Sequence, residues 1–509
     1  MTSTSAVLEL RHITKRFGDL VANDDVSLVL RSGELLALLG ENGAGKTTLM
    51  NILFGHYTAD AGDVVAGGQR LPAGRPRAAI AAGIGMVHQH FALAANLSVL
   101  DNVMLGTEPM ARLLSNRRAG RDKLTALGNK FGLTVDPDAR VADLSVGERQ
   151  KVEILKALYR DVRVLILDEP TAVLSSVEAE RLFSTLRTMA ANGLSLIFIS
   201  HKLNEVLAAA DRIVVLRSGK VVAEREAKET TRNELAELMI GRRVDRPVRE
   251  PQLPGDILMQ AYGVMVTEAG RTLLDKVDFD VRAGEVVGII GVAGNGQAAL
   301  GGLTSGLVKP ASGRLELFGK AFERADGRHF VQAGVGRIPE DRHAQGVVGD
   351  MTLWENAVLE RIREPRFSRL GCVRRQAAVA FAREIIARFD VRGAKPTTHT
   401  RLLSGGNMQK FLLGRTLIDA PRVLIANQPT RGLDEGAIAA IHRDILAART
   451  AGAGVLLISE DLDEVLALAD RVRAIVKGRL SPALSIAAAD ARQLGLMMAG
   501  IWGEADRAT

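Results

Sequence analysis

GENGAGKTTL, from Gly40 to Leu49, follows five apolar residues, Leu35 to Leu39, and runs into an apolar helical pattern. Strand, glycine-rich turn and helix form the context in which G-x-x-x-x-G-K-[ST] reads as a phosphate-binding loop rather than a bare glycine turn. Its glycines let backbone N–H groups wrap phosphates at a helix N-terminus, Lys46 supplies a point charge, and the Thr47 hydroxyl can ligate Mg²⁺. The same blueprint returns 251 residues later as GVAGNGQAAL, Gly291 to Leu300. There the glycines survive, while Lys46 is answered by Gln297 and Thr47 by Ala298.

Other stretches repeat in step. VLILDEPT (Val164 to Thr171) is matched 259 residues later by VLIANQPT (Val423 to Thr430), and ISH ending at His201 by ISE ending at Glu460. Asp168 becomes Asn427 and Glu169 becomes Gln428. Residues that shape the backbone stay and reactive side chains go, which predicts two sites on one plan with one of them working.

A repeat of about half of 509 residues implies two domains of ordinary size. We expect domain 1 over 1–241, a linker over 242–255 with three prolines, and domain 2 over 256–509. Short apolar runs such as LLALLG and SLIFIS, separated by helical patterns, predict an α/β fold with a mainly parallel core sheet in each half. The segments from about Phe91 to Asp143 and Asp341 to Leu402 read as inserted helical subdomains.

With 47% apolar and 25% charged residues, the composition is that of a folded globular protein. The longest uncharged stretch, Ala78 to Leu100, holds polar residues and glycines and does not read as a membrane span. The first ten residues show no secretory signal, so a cytosolic location is expected. The single cysteine, Cys372, excludes an internal disulfide, and no Cys/His cluster suggests a metal site. A net charge of +7 could favour anionic partners such as nucleic acid or a lipid surface, but 66 basic residues stand against 59 acidic ones with no long basic run, so it points only weakly.

Asp168 and Glu169 place two carboxylates at a strand tip, where the first can serve Mg²⁺ and the second can polarise a water. A positioned general base contributes about 10²- to 10⁴-fold in rate, and the amide of Gln428 cannot take that proton. His201 can hydrogen-bond a γ-phosphate; a lone histidine is more often structural, but its exchange for Glu460 in the eroded copy favours function. LSVGERQKVEILKAL (Leu144 to Leu158) and LSGGNMQKFLLGRTL (Leu403 to Leu417) reverse the pattern. The second keeps Ser404, Gly405, Gly406 and Asn407, a capping serine and bare amides suited to phosphate. The first has Val146 and Glu148, and Glu148 either repels a nucleotide or simply favours its own helix dipole. Likewise Asp434 survives where the first copy has Ser175.

Taken together, these motifs resemble the fused tandem ATP-binding subunit of an ABC importer of the simple-sugar and nucleoside group, over nearly the whole chain. The resemblance implies ATP and Mg²⁺, two P-loop ATPase domains packed head to tail, and peripheral attachment to the cytoplasmic face of the inner membrane through two integral-membrane permease subunits served by an extracytoplasmic solute-binding protein. ATP would lie between Gly40, Asn42, Gly43, Gly45, Lys46, Thr47 and Thr48 of one half and Ser404, Gly405, Gly406, Asn407 and Asp434 of the other. By the same resemblance Glu169 and His201 are catalytic, and Thr47, Gln89 and Asp168 serve the metal. Gln89 relays nucleotide state to the permease, with Glu340 at its partner position. Phe17 stacks on adenine, although it reads equally as an exposed strand-end aromatic; Glu268 stands in its place in the second copy. Asn407 replaces the family's usual glutamine, and Ser175 the usual aspartate. GMVHQHF and ANQPTRGLD look more like nucleoside importers than ribose or galactose ones.

Two rivals come from other classes. A cytosolic tandem-ABC translation or repair factor would lack a permease partner, but such factors usually keep two competent sites and a long charged linker. A nucleotide-binding scaffold without turnover would show no hydrolysis sensitive to Glu169→Gln.

Overall fold

The computed structural model describes residues 5–88, 91–107, 116–171, 174, 176–200, 202–241, 247–322 and 326–502. The chain divides into two compact units, Met1–Val244 and Asp245–Thr509.

In the first unit a six-stranded sheet has the order Lys220–Glu226, Arg212–Arg217, Leu35–Leu39, Ser195–Ile199, Val164–Asp168, Ile84–Val87. All neighbours are parallel except the first pair. Strand Leu35–Leu39 shows why the sequence reads as an unbroken apolar run. Leu35, Ala37 and Leu39 enter a core shared with the helices, while Leu36 and Leu38 enter a second core on the other face. Alternate side chains of a strand point to opposite faces, so burial on both sides demands apolar residues throughout.

The second core is closed by a four-stranded antiparallel sheet that the sequence reading did not anticipate, ordered Leu20–Arg31, Ala6–Phe17, Ala61–Ala66, Gln69–Arg70. Its first two strands form a long hairpin whose inward residues Leu8, Leu10, Ile13, Val26, Leu28 and Leu30 are buried. The alternation in VLELRHI carries this signal.

The second unit repeats the plan. Its parallel strands run Val335–Ile338, Val423–Asn427, Gly454–Ser459, Val286–Ile290, Arg471–Val476, with Arg479–Leu480 and Leu484–Ser485 antiparallel to the last. A second antiparallel sheet, led by Ile257–Glu268 and Arg271–Arg282, covers one face. Register is kept as well: Asp168 lies opposite Ile199, and Asn427 opposite Ile458.

Both helical insertions are present. The first contains helices Val99–Met104 and Arg117–Phe131, the second Leu353–Val358 and Arg375–Arg388. The second also holds a small hairpin, Ser368–Arg369 against Cys372–Val373, not foreseen from sequence. The segment expected as a linker is exposed from Glu250 to Gly255, and it also makes bonds within the second unit. Arg249 Nη1 donates to Asp470 at 2.7 Å, and the Glu250 carbonyl accepts from Arg449 Nη1 at 3.0 Å. Arg449 is 1% exposed and binds both carboxylate oxygens of Asp470, so residues 249 and 250 are fastened to the second unit. Prolines, arginines and the lack of an apolar period signal the tether; the buried Arg449 that anchors Glu250 lies 199 residues away.

Candidate nucleotide site

The phosphate loop sits at the carboxyl end of strand Leu35–Leu39, where α/β sheets gather ligands. Gly45 caps helix Lys46–Phe54 with φ 100°, and a Cβ there would collide with the carbonyl oxygen of Ala22. Only glycine serves this position. Asn23, fully buried and unremarked in the sequence, donates to the Gly45 carbonyl at 3.2 Å. Lys46 Nζ donates to the carbonyls of Gly40 and Glu41 at 2.7 and 2.9 Å, arching over the loop.

In the second unit Gly296 has φ 113° and the same capping place. Gln297 spans that loop, donating to the Val292 carbonyl at 2.8 Å and accepting from Asn295 N at 2.9 Å. The amide reproduces the lysine's bracing without its charge.

Glu169 and Gln428 show the same division between backbone and chemistry. Both have left-handed backbone, φ 47° and 51°, and both N–H groups donate to the neighbouring strand, to Ile199 O at 3.1 Å and Ile458 O at 2.8 Å. Such a conformation costs a non-glycine residue about 1 kcal/mol or more. Asp168 beside it is 5% exposed. Burial pushes its carboxyl up to about 6, the adjacent Glu169 charge adds to the rise, and Lys46 opposes it. In the second unit Asn427 occupies the place, with its buried Oδ1 unpartnered.

The loops beyond these strands are fastened by glutamates missed from sequence. Thr171 and Ser200 donate to Glu205 at 2.6 and 3.2 Å. Thr430 and Ser459 donate to Glu464 at 2.7 and 2.6 Å, and His442 Nε2 lies 3.2 Å from it. Retention of ISHKLNE as ISEDLDE at the same offset was the available signal.

Ser145 and Glu148 form a capping box: the Ser145 hydroxyl and N–H both donate to Glu148 Oε2, at 2.7 and 2.9 Å. The hydroxyl and backbone bonds from Ser145 hold that carboxyl below its ordinary range. Glu148 therefore serves its own helix. In the second unit Ser404 caps helix Gly405–Leu417, accepting from Asn407 N at 3.4 Å and Asn407 Nδ2 at 3.1 Å. Asp434 caps helix Glu435–Thr450 through Ala437 N at 2.9 Å. Glu340 is paired with Arg431 at 2.8 Å.

Phe17 ends the first strand, 45% exposed, edge-on to Tyr57 at 5.7 Å with Lys15 Nζ 5.4 Å from its ring centre. Glu268 ends the corresponding strand of the second unit. Gln89, His201 and Ser175 lie outside the described residues.

The first unit thus joins a phosphate loop, a lysine and two strand-tip carboxylates; the donors Thr47 and Asp168 are hard oxygen ligands that suit Mg²⁺. Residues 23–172 and 274–431 match the sequence profile of the ABC transporter family. The chain belongs to that family, and it is an ATPase.

The nucleoside import ATP-binding protein NupA of Lactococcus lactis is 42% identical, with 98% of this chain and 99% of NupA covered. The glucose import ATP-binding protein TsgD13 of Haloferax volcanii is also 42% identical, over 97% and 96%. The guanosine import ATP-binding protein NupO of Bacillus subtilis is 40% identical, over 97% of each. Among solved structures, an archaeal ribosome recycling factor, aABCE1 in complex with a stalk protein, covers 93% of this chain and 90% of its own at TM-score 0.64. At 18% identity it shares the fold alone.

Proposed function

We propose that the chain drives import of a nucleoside, or else a simple sugar, through two separate membrane permease subunits supplied by an extracytoplasmic solute-binding protein, from the cytoplasmic face of the membrane. No helix among the described residues is long and apolar enough to cross a membrane, which fits a subunit that works through others. The import relatives, at 40 to 42% identity over nearly the whole chain, support this reading. Two of the three act on nucleosides by name, and the nucleoside assignment also draws on the look of GMVHQHF and ANQPTRGLD.

One site hydrolyses. Lys46 and the loop amides of Gly43 and Gly45 hold the ATP phosphates, with Asn42 and Thr48 beside them and Phe17 against adenine. Ser404, Gly405, Gly406, Asn407 and Asp434 complete the site from the second unit. Glu169 takes a proton from the attacking water, and His201 contacts the γ-phosphate. Thr47, Asp168 and Gln89 would hold Mg²⁺, which when bound neutralises charge on the phosphate oxygens. The other site, with Gln297, Asn427 and Gln428, does not turn over. Preference for ATP over ADP in the closed state supplies the work of transport.

The observation that carries this reading is the left-handed strand tip kept at both 169 and 428 with a carboxylate at only one. Solute-stimulated ATPase activity of the chain reconstituted with its permeases tests it. Glu169→Gln should lower turnover about 10²- to 10⁴-fold, the range of a lost general base, while Gln428→Ala leaves it within about twofold. Substantial loss from Gln428→Ala overturns the single-site reading, and co-purification with ribosomes rather than permeases overturns the importer reading.

A further inference from the structure

The hairpin in the second helical insertion carries an apolar residue where neither folding nor solvation favours one. Its strands, Ser368–Arg369 and Cys372–Val373, are joined by Leu370 and Gly371, with φ 51° and 82°. A two-residue turn with both φ positive is ordinarily filled by Asn-Gly, because Asn tolerates the left-handed region and leucine does not. Leu370 is nevertheless 97% exposed. It therefore contributes nothing to the core and strains the turn.

The base of the hairpin is firm. Phe367 is 2% exposed and packs on Phe381 with ring centres 5.0 Å apart; the Arg374 N–H closes onto Phe367 O at 2.8 Å. Arg361 and Arg366 are neutralised by Asp419. Around the tip the balance differs. Arg363, Arg369, Arg374 and Arg375 are exposed and make no ion pair among the described residues, and Ile362 and Val373 add apolar surface, 37% and 41% exposed.

We propose that this tip inserts Leu370 into the interface of an anionic lipid bilayer while the surrounding arginines bind headgroup phosphates. Arginine suits this place, since its aliphatic stem lies along apolar surface while its head stays at the phosphates. A stable protein interface needs about 800 Å² per partner, far more than three scattered side chains ringed by cations supply. A reversible interfacial contact needs less, since each arginine near an anionic surface adds about fivefold in partition to the burial of one leucine. The inference takes from the importer reading only that a membrane is near.

Cys372, the sole cysteine, is exposed beside the tip and serves as a native label site. The full chain carrying an environment-sensitive thiol dye should show a blue-shifted emission and co-sediment with phosphatidylglycerol-containing vesicles at about 100 mM salt, and do neither with phosphatidylcholine alone. Arg363→Gln with Arg369→Gln should weaken partition on the order of 25-fold, about fivefold for each charge removed. Leu370→Asn relaxes the turn, so it should keep or raise the unfolding temperature while losing the dye shift. Unchanged emission with anionic vesicles overturns the proposal, as does a shift that appears only with permease subunits, which would make the tip a protein-docking element. ATP binding measured on the same preparation reports separately on the nucleotide site.

Discussion

At the tip of strand Val164–Asp168 the folded chain tolerates a buried carboxylate that water would hold ionised far more easily. Because burial raises the carboxyl of Asp168 to about 6 from its ordinary 3.8, the folded state binds that proton more tightly than the unfolded chain. Stability therefore falls as pH rises from about 3.8 through 6 and stays lower above. A rise of that size corresponds to about 3 kcal/mol. Asp168→Asn should stabilise the nucleotide-free first unit by up to that amount at pH 7.5, with the advantage shrinking by about 1 kcal/mol at pH 5. Urea unfolding from pH 5 to 8 measures this; an advantage independent of pH would assign it to packing instead. The second copy already carries that exchange as Asn427, and there Oδ1 is left buried and unpartnered. On the metal-holding role we propose for Asp168, asparagine at this position gives up that capacity and relieves the burial of charge.

At the scale of elements, the corresponding helices Val146–Leu158 and Gly405–Leu417 differ in what their first turns offer. Glu148 closes a capping box over Ser145 in the first, whereas Ser404 is followed by glycines in the second. If only the second receives phosphate, Ser404→Arg should cripple turnover of the reconstituted complex and Ser145→Arg should leave most of it, apart from roughly 1 kcal/mol of lost capping stability. Equal effects on activity would count against the pairing. The glutamate hubs give a prediction for stability alone: Glu464→Ala strands Thr430, Ser459 and His442 and should cost the second unit about 3 kcal/mol, whereas Glu464→Gln should cost distinctly less. Thermal unfolding compares them. Legibility in the sequence follows from the range of the interactions involved. Strand Leu35–Leu39, the loop after it and the Ser404 cap are local patterns and were readable. Glu205 and Glu464 act through partners across loops and are marked only by their shared offset in ISHKLNE and ISEDLDE, while nothing within a short window marks Arg449, which acts on Asp470 and Glu250. The antiparallel sheets are harder to read for another reason. Their alternation is present, but a period of two beside uninterrupted parallel strands does not say that it belongs to a separate sheet.

For the molecule as a whole, complementary erosion constrains which repairs can matter. The second unit lacks Lys46, Thr47, Asp168 and Glu169 in their corresponding places, so restoring one of the four leaves the other three absent. On the pairing we propose, that site would also meet the first unit's Val146 and Glu148, the latter occupied with its cap. Residues that act as one catalytic unit are grossly non-additive, so partial repair returns little. Gln297→Lys alone, and Asn427→Asp with Gln428→Glu alone, should each leave turnover of the reconstituted complex within about twofold of the unmodified chain, whereas Lys46→Ala should abolish it. On the single-site reading we propose, the ATP dependence of turnover should be hyperbolic with a Hill coefficient near one. A coefficient well above one, or a rise in rate well beyond twofold on restoring Lys alone, would mean that the second loop already takes part in hydrolysis and that its losses are compensated by groups outside the strand tips.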